Sequence, residues 1–174
     1  MRPLAEALVQ RARAQGLVLA VAESCTGGMI AAALTDAPGA SRVFDRGFVT
    51  YSNAAKQALL GVQAGTLAAH GAVSEAVARE MAVGALAASA ADLALSVTGI
   101  AGPGGSGHKP EGRVCFALAW RGGRVASETV EFGALGRDGV RRAALAHALR
   151  RLAAAAGTPG PAALSGKGRA TPAG

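Results

Sequence analysis

The sequence predicts an α/β fold, a three-layer α/β/α sandwich on a mixed sheet of five to six strands. In the first part of the chain, short apolar runs of strand length alternate with helical patterns, as in parallel sheets whose strands are connected by helices. Two later apolar runs flank Gly122-Gly123, which predicts an antiparallel hairpin. Aromatic residues make up only 3% of the chain, so Ala, Val and Leu must fill closely packed layers.

The first half of the chain alternates between helices and strands. Apolar residues recur at helical spacing from Leu4 to Ala12, and Gly16 ends that pattern. Runs rich in β-formers separate the helical segments. The expected elements are a helix over 4–12, a strand over 17–22, a helix over 29–34, a strand over 43–51, and a helix capped by Asn53 and ended by Gly61.

The second half is expected to end in a hairpin and a long helix. Ser74 is a side-chain cap for a helix whose apolar stripe reaches Ala88. A loop rich in glycine, residues 99–107, follows the next strand and is too apolar at its start to be a simple linker. The expected elements are this strand over 93–98, the hairpin strands over 114–120 and 125–132, and a helix capped by Asp138 that reaches Leu152.

Length and composition exclude several classes of protein. The 174 residues favour one domain. It is expected to span 1–156, and residues 157–174, rich in Gly, Pro and Ala, are expected to form a disordered tail. Two cysteines far apart in sequence and no signal peptide predict a reduced, cytoplasmic protein. No apolar run is long enough for a membrane span, and no His or Cys cluster predicts a metal site.

The net charge of +7 raises the question of a nucleic-acid partner. The only dense basic group consists of arginines near the C-terminal helix, without interleaved aromatic residues that would stack on bases. We expect these side chains to form mainly a solvated helix face, and we expect no nucleic-acid partner. The group comprises Arg137, Arg141, Arg142, Arg150 and Arg151.

The turn after the first predicted strand carries the first candidate catalytic group. Ser24 follows the strand, and Gly27 and Gly28 let the backbone approach a ligand and present amide groups at the start of a helix. This arrangement suits an anion or an oxyanion. The same residues would also make an ordinary helix cap, so the pattern alone leaves both interpretations open.

Tyr51 and Lys56 are expected at the same edge of the sheet as Ser24. Tyr51 ends the second strand, and Lys56 falls in the first turn of the next helix. The positive end of the helix dipole lowers the pKa of an amine there, and a value of roughly 7 to 8 would make a general base for the Ser24 hydroxyl. An exposed lysine without a role is the alternative interpretation.

Thr98 ends the third predicted strand and leads into the glycine-rich loop. It brings a hydroxyl, and the loop brings backbone amides, to the same edge of the sheet. The loop is not a Walker A phosphate loop, because it lacks the Gly-Lys-Ser/Thr ending. A loose structural turn is the alternative interpretation.

Four motifs in this order resemble the CinA C-terminal domain family. They are Ala-Glu-Ser-Cys-Thr-Gly-Gly at 22–28, Tyr-Ser-Asn with Lys56 at 51–56, Gly-Ala-Val-Ser-Glu at 71–75, and Val-Thr-Gly-Ile-Ala-Gly-Pro-Gly-Gly through Lys-Pro at 97–110. The resemblance covers residues 4–154 and implies an α/β/α sandwich, often dimeric. Its stand-alone PncC type hydrolyses the carboxamide of nicotinamide mononucleotide to nicotinate mononucleotide and ammonia, in pyridine-nucleotide salvage and without a cofactor.

The resemblance also implies a role for each matching residue. Ser24 would be the nucleophile, Lys56 its base, Tyr51 and Thr98 active-site partners, and Arg137 a contact to the phosphate end of the substrate. The oxyanion is expected on amides near Gly27 and Gly28, together with the Thr98 hydroxyl. The other residues expected to bind the nucleotide are Cys25, Thr26, Gly99, Gly102, Gly104 and Gly105. Glu111 and Arg113 depart from the family pattern, and the loop over 105–110 is shorter, which changes the rim of the site.

Two other functions remain open at this point. The Cys25 thiol, with Glu23 and Lys56, would make a cysteine-type amidase. Otherwise Cys25 is a small buried residue and Glu23 an ion-pair partner of Lys56. A non-catalytic nucleotide-binding module, linked to competence or the response to DNA damage, would use the same loops and would need no base.

Overall fold

The computed structural model describes residues 1–157, which form a five-stranded mixed sheet covered by helices on both faces. In chain order the elements are α1 Arg2–Ala14, β1 Leu19–Glu23, α2 Met29–Thr35, β2 Phe44–Val49, α3 Asn53–Leu60, α4 Ala64–His70, α5 Glu75–Ala87, β3 Leu93–Gly99, β4 Arg113–Trp120, β5 Val125–Glu131 and α6 Gly136–Ala156. The predicted fold class is confirmed.

The sheet has the strand order β2-β1-β3-β4-β5. Strand β1 pairs in parallel with both β2 and β3, whereas β4 pairs antiparallel with β3 and with β5, its hairpin partner. The carboxyl ends of β1, β2 and β3 therefore meet at one edge of the sheet, where ligands collect in open α/β folds. The predicted hairpin at Gly122-Gly123 is confirmed.

Alternate side chains of the buried strands supply apolar clusters on the two faces of the sheet. Leu19 and Val21 pack toward α1, α2 and α6, whereas Ala20 and Ala22 pack toward α3 and α5. The second layer lies close to its neighbours, since a Cβ on Gly84 of α5 would come within 1.9 Å of the Leu60 carbonyl oxygen of α3. Small residues thus allow the close packing that the scarcity of aromatic residues requires.

Several details differ from the sequence-based expectations. Helix α4 was not expected because none of its residues is fully buried, so its sequence has no apolar stripe. Ser52, not Asn53, caps α3, and its Oγ accepts a hydrogen bond from the Ala55 amide at 3.1 Å. Asp138 lies inside the first turn of α6 rather than capping it.

Two further expectations concern the chain ends and membranes. Helix α6 continues to Ala156, and almost all of the predicted disordered tail lies outside the described residues. Among the helices in residues 1–157, none combines the length and the apolarity that crossing a membrane requires.

Candidate active site

The turn after β1 is held in place by main-chain hydrogen bonds to both neighbouring strands. The Ser24 amide donates to the Val97 carbonyl at 3.0 Å, and the Thr50 amide donates to the Glu23 carbonyl at 2.8 Å. The three chain segments therefore stay in register one residue beyond β1. This brings Ser24, the start of α3 and the end of β3 to the same edge, as expected.

The buried carboxylate of Glu23 binds the backbone amides at the end of the turn. Its side chain is fully buried, and its carboxylate accepts hydrogen bonds from the amides of Gly28, Ile30 and Ala31 at 2.9, 3.1 and 2.8 Å. These are amides of the first turn of α2, which lack partners within their own helix. The carboxylate on a preceding strand thus completes this helix terminus, and Glu23 is not the ion-pair partner of Lys56 that one interpretation required.

Lys56 and Ser24 form a buried pair. The Lys56 Nζ lies 2.9 Å from the Ser24 Oγ and donates a second hydrogen bond to the Thr50 carbonyl, also at 2.9 Å. Lys56 is only 1% exposed. Within residues 1–157, no carboxylate forms an ion pair with it. This is the distance at which an amine can exchange a proton with a serine hydroxyl.

Burial lowers the pKa of Lys56 below its ordinary value of 10.5. The direction agrees with the sequence-based expectation, but the main physical cause is desolvation of the ammonium rather than the helix dipole. In the neutral amine, one N–H can bind the Thr50 carbonyl while the lone pair accepts the Ser24 O–H. The arrangement therefore favours a base over a structural cation.

The backbone amides of the turn differ in their availability. The Gly27 amide donates to the Ser24 carbonyl at 3.1 Å, and the Gly28 amide is held by Glu23. The oxyanion was expected on amides near Gly27 and Gly28, and these two amides are already used within the turn. The amides of Cys25 and Thr26 donate no main-chain hydrogen bond within residues 1–157, and Cys25 lines the same cavity as Ser24. The residue after a nucleophile commonly supplies such a donor.

Cys25 does not have the properties of a nucleophile. Its side chain is 5% exposed, and burial raises the pKa of the thiol to about 12. A thiol with this pKa stays protonated near neutral pH, and the thiolate is the reactive form. The cysteine-type amidase therefore lacks its nucleophile.

Thr98 is placed at the site but does not offer its proton. Its hydroxyl donates to the Ala72 carbonyl at 2.8 Å, and the side chain is 1% exposed. The expected role of this hydroxyl as an oxyanion donor would require it to give up the Ala72 carbonyl, because a hydroxyl has a single proton to donate. Thr98 instead ties the end of β3 to the segment between α4 and α5.

Ser24 and Lys56 line a cavity of about 230 Å³ that adjoins a larger cleft of about 570 Å³. Ala72, Val73 and Arg137 line both. Of the other expected site residues, the small cavity brings together Cys25, Tyr51, Thr98 and Gly99, and the cleft brings together Gly99, Gly102, Gly104 and Gly105. Thr26, Gly27 and Gly28 line neither space.

Arg137 bridges the mouth between the two spaces. Its guanidinium donates to the Gly102 carbonyl at 3.0 Å and to the hydroxyl of Tyr51. Tyr51 is 60% exposed. The guanidinium of Arg137 and the hydroxyl of Tyr51 thus lie on exposed residues beside the buried Ser24–Lys56 pair. Both can form hydrogen bonds, which suits recognition of a polar part of a ligand.

Two side chains that the sequence did not single out as catalytic anchor the glycine-rich loop. Lys109 Nζ donates to the carbonyls of His70 and Val73 at 2.7 and 2.6 Å. The Glu111 carboxylate accepts from the amides of Gly104 and Gly136 at 2.6 and 2.9 Å. The loop is therefore a braced wall of the cleft and not a loose turn.

Arg141 was expected on a solvated helix face and instead contacts the Ser24 turn. It donates to the carbonyls of Cys25 and Thr26 at 3.1 and 3.0 Å. The signal in the sequence was its spacing, because Arg137 and Arg141 lie four residues apart and so share one face of α6. Arg142 does match the expectation, since it is exposed and pairs with Asp138.

The described residues contain no group of three or more His, Cys, Asp or Glu side chains that could hold a metal ion.

Residues 1–156 match the CinA C-terminal domain. The chain belongs to this family. The nicotinamide-nucleotide amidohydrolase PncC of Escherichia coli K12 is 52% identical over 150 residues, which are 86% of this chain and 90% of the relative. A protein of the same name from Enterobacter agglomerans is 54% identical over 139 residues, 79% of this chain and 84% of the relative. A relative from Symbiobacterium thermophilum is 55% identical over 144 residues, but this chain spans only 34% of its length.

Solved structures of CinA proteins have the same fold. The competence/damage inducible protein CihA of Agrobacterium tumefaciens superposes with a TM-score of 0.85 at 48% identity, over 88% of this chain and 93% of that one. A CinA superfamily protein from Klebsiella pneumoniae superposes with a TM-score of 0.86 at 37% identity, over 89% and 96%. All four motifs that resemble the CinA family lie within the matched residues.

Proposed function

We propose that this chain is a serine amidohydrolase that converts nicotinamide mononucleotide to nicotinate mononucleotide and ammonia. The observation that carries the proposal is the 2.9 Å contact between the buried Lys56 Nζ and the Ser24 Oγ. The names of the Escherichia coli and Enterobacter agglomerans relatives support both the amidohydrolase chemistry and the nucleotide substrate.

The first half of the reaction forms an ester on Ser24. Neutral Lys56 takes the hydroxyl proton as the Ser24 Oγ attacks the carboxamide carbon. The resulting oxyanion accepts a hydrogen bond from the Cys25 amide, which donates no main-chain hydrogen bond in the described part of the chain. The Lys56 ammonium then gives its proton to the nitrogen, the C–N bond breaks, and ammonia leaves.

The second half releases the acid. A water molecule loses a proton to Lys56 and attacks the ester carbon, and the Ser24 Oγ leaves and takes that proton back. Lys56 thus ends each cycle as the neutral amine, which the low pKa produced by its burial favours. Every proton moves between atoms of Ser24, Lys56, water and substrate.

The cleft beside the small cavity suits the ribosyl-phosphate part of the substrate. Arg137 faces both spaces, and the planar fork of a guanidinium matches the oxygens of a phosphate. The amides of the glycine-rich loop add donors without side chains that would fill the cleft. The phosphate would then replace Tyr51 or Gly102 as a partner of Arg137.

The cellular setting is part of the same proposal. We place the protein in the cytoplasm, where it would act in pyridine-nucleotide salvage. We expect it to form a homodimer and to bind a small nucleotide as its substrate. The two cysteines are unpaired and buried, which fits a reducing compartment.

Ammonia release from nicotinamide mononucleotide, with a chelator present, tests the proposal. We expect the wild type to release ammonia and Ser24→Ala to lose nearly all turnover. Cys25→Ala is the matched control, because it removes the neighbouring thiol and keeps the amide, and it should retain activity. Nucleotide binding without ammonia release by the wild type would instead support a binding module, and loss of activity in Cys25→Ala alone would support a cysteine nucleophile.

A further inference from the structure

Arg141 contacts the turn that carries the nucleophile and lines neither cavity. It is half-buried on α6, and its Nε and Nη2 atoms donate to two consecutive carbonyls, those of Cys25 and Thr26. A guanidinium presents its donors in a rigid fork, so one side chain can fix two neighbouring peptide groups. Lysine, with a single nitrogen on a flexible stem, cannot do this as well.

The turn is held from two sides by opposite charges. The Glu23 carboxylate holds the amides at its far end, and the Arg141 guanidinium holds carbonyls in its middle. Between them, neither the Cys25 nor the Thr26 amide donates a main-chain hydrogen bond in the described residues, and Cys25 lines the small cavity. The peptide group that carries the Thr26 N–H is the one whose carbonyl accepts from Arg141, and such a bond strengthens the N–H as a donor.

A serine turn with free amides is useful only while those amides keep their direction. Peptide groups in a short turn can rotate when nothing holds their carbonyls, and small displacements at a reacting centre reduce the rate strongly. Arg141 supplies this restraint through its two hydrogen bonds to the carbonyls of Cys25 and Thr26.

We propose that Arg141 is a positioning residue, which holds the Cys25 and Thr26 carbonyls of the turn after Ser24 so that the adjoining Cys25 amide keeps its direction toward the oxyanion. This inference rests on the proposed function, since it concerns the same amide hydrolysis. It assigns Arg141 an effect on the chemical step and not on nucleotide binding, which we assign to Arg137.

The test compares Arg141→Met with Arg142→Met. Both remove an arginine from the same helix, but Arg142 is exposed and pairs with Asp138 on its own helix. We expect Arg141→Met to lower kcat by about 10- to 100-fold, less than the loss of an oxyanion donor itself, with KM changed by less than about 3-fold. Arg142→Met should leave both constants unchanged. Arg141→Lys should lie between the wild type and Arg141→Met.

Chemical rescue separates positioning from a merely structural role. Addition of millimolar ethylguanidinium to Arg141→Ala should recover part of kcat, because the small cation can occupy the vacated space against the two carbonyls. The same addition should not affect the wild type or Arg142→Met. Thermal unfolding of each variant shows whether the protein remains folded at the assay temperature.

Three results would count against the proposal. A folded Arg141→Met variant with the kcat of the wild type would overturn it, and so would an unchanged kcat with a raised KM, because that pattern indicates substrate binding. Loss of activity without rescue, in proportion to loss of folded protein, would show a structural role. If the wild type itself released no ammonia, that result would overturn the proposed function. The Arg141 variants are not needed for that test, so the two failures can be distinguished.

Discussion

The Ser24 turn and the glycine-rich loop line two adjoining spaces, the small cavity and the cleft, but are held in different ways. Buried or half-buried groups hold the turn, with Glu23 on one side and Arg141 on the other. The loop is braced from its rim by Lys109 and Glu111. The comparison indicates that the chain fixes the position of its reacting groups more firmly than the wall that receives the rest of the ligand.

Such a division has a physical reason. A bond-forming step requires the nucleophile, the base and the oxyanion donors to lie within a fraction of an ångström of their best positions. Binding of a polar group tolerates more variation, because water or small movements of the loop can compensate. Substitutions of Lys56, Glu23 and Glu111 each change one side of this comparison.

The largest effect is expected from the base. Lys56→Met keeps much of the side-chain volume and removes the amine, so kcat should fall by about 10²- to 10⁴-fold. Lys56→Arg should be as inactive, because a guanidinium stays protonated at every accessible pH. In the wild type, kcat/KM should rise with pH as Lys56 loses its proton, and this rise should be centred below 10.5 because burial lowers the pKa of the amine.

The same group makes stability depend on pH. The folded protein holds Lys56 with a lowered pKa, whereas the unfolded chain keeps a value near 10.5. Between these two values the unfolded state binds more protons, so the free energy of unfolding should increase as the pH rises through that window. Lys56→Met should remove this part of the slope in urea titrations at several pH values. An identical slope in both proteins would show that Lys56 is not desolvated as described.

These contacts explain how much of the site could be predicted from sequence. Ser24, Lys56 and Thr98 were expected at one edge because each follows or precedes a strand, and strand order alone brings such positions together. The availability of individual amides could not be predicted, since it depends on where the Glu23 side chain turns. Arg141 belongs to a helix more than a hundred residues later, and the packing of α6 against the layer that contains α1 and α2 brings it to the turn.

The fold shows the same distinction between periodic and isolated signals. Long helices and buried strands have repeating apolar positions, so their existence was predicted correctly. Helix α4 has no buried residue, and its sequence therefore carries no such repeat. The cap of α3 was misassigned by one residue, because Ser52 and Asn53 are both good caps and only backbone geometry decides between them.

An intermediate effect is expected from Glu23, on the firmly held side of the site. Glu23→Gln leaves one acceptor oxygen and turns an NH₂ group toward amides that are themselves donors. We expect a loss of about 2–4 kcal/mol in the free energy of unfolding, measured by chemical denaturation. Glu6→Gln is the matched control, because Glu6 forms a surface pair with Arg2 and should cost less than about 1 kcal/mol. Equal stability of the two variants would contradict the role of Glu23 in holding the turn.

The smallest effect is expected from Glu111, on the more tolerant side. Its two carboxylate oxygens join the glycine-rich loop at Gly104 to the start of α6 at Gly136, one residue before Arg137. Glu111→Gln keeps one of these hydrogen bonds and loses the other. We expect this loss to lower the free energy that favours the ordered loop by about 0.5–1.5 kcal/mol. Because the loop receives the substrate but does not react, KM should rise roughly 2- to 10-fold while kcat stays the same.

A second glutamate provides the control for this variant. Glu131 lies near the same end of the sheet and pairs with Arg113 across the hairpin, without contact to the loop. Glu131→Gln should therefore leave both constants unchanged. If Glu111→Gln lowered kcat as strongly as Arg141→Met, the loop would be as important for the chemical step as the Ser24 turn. The two walls of the cleft would then act as one unit, and the division between a fixed reacting side and a tolerant binding side would have to be given up.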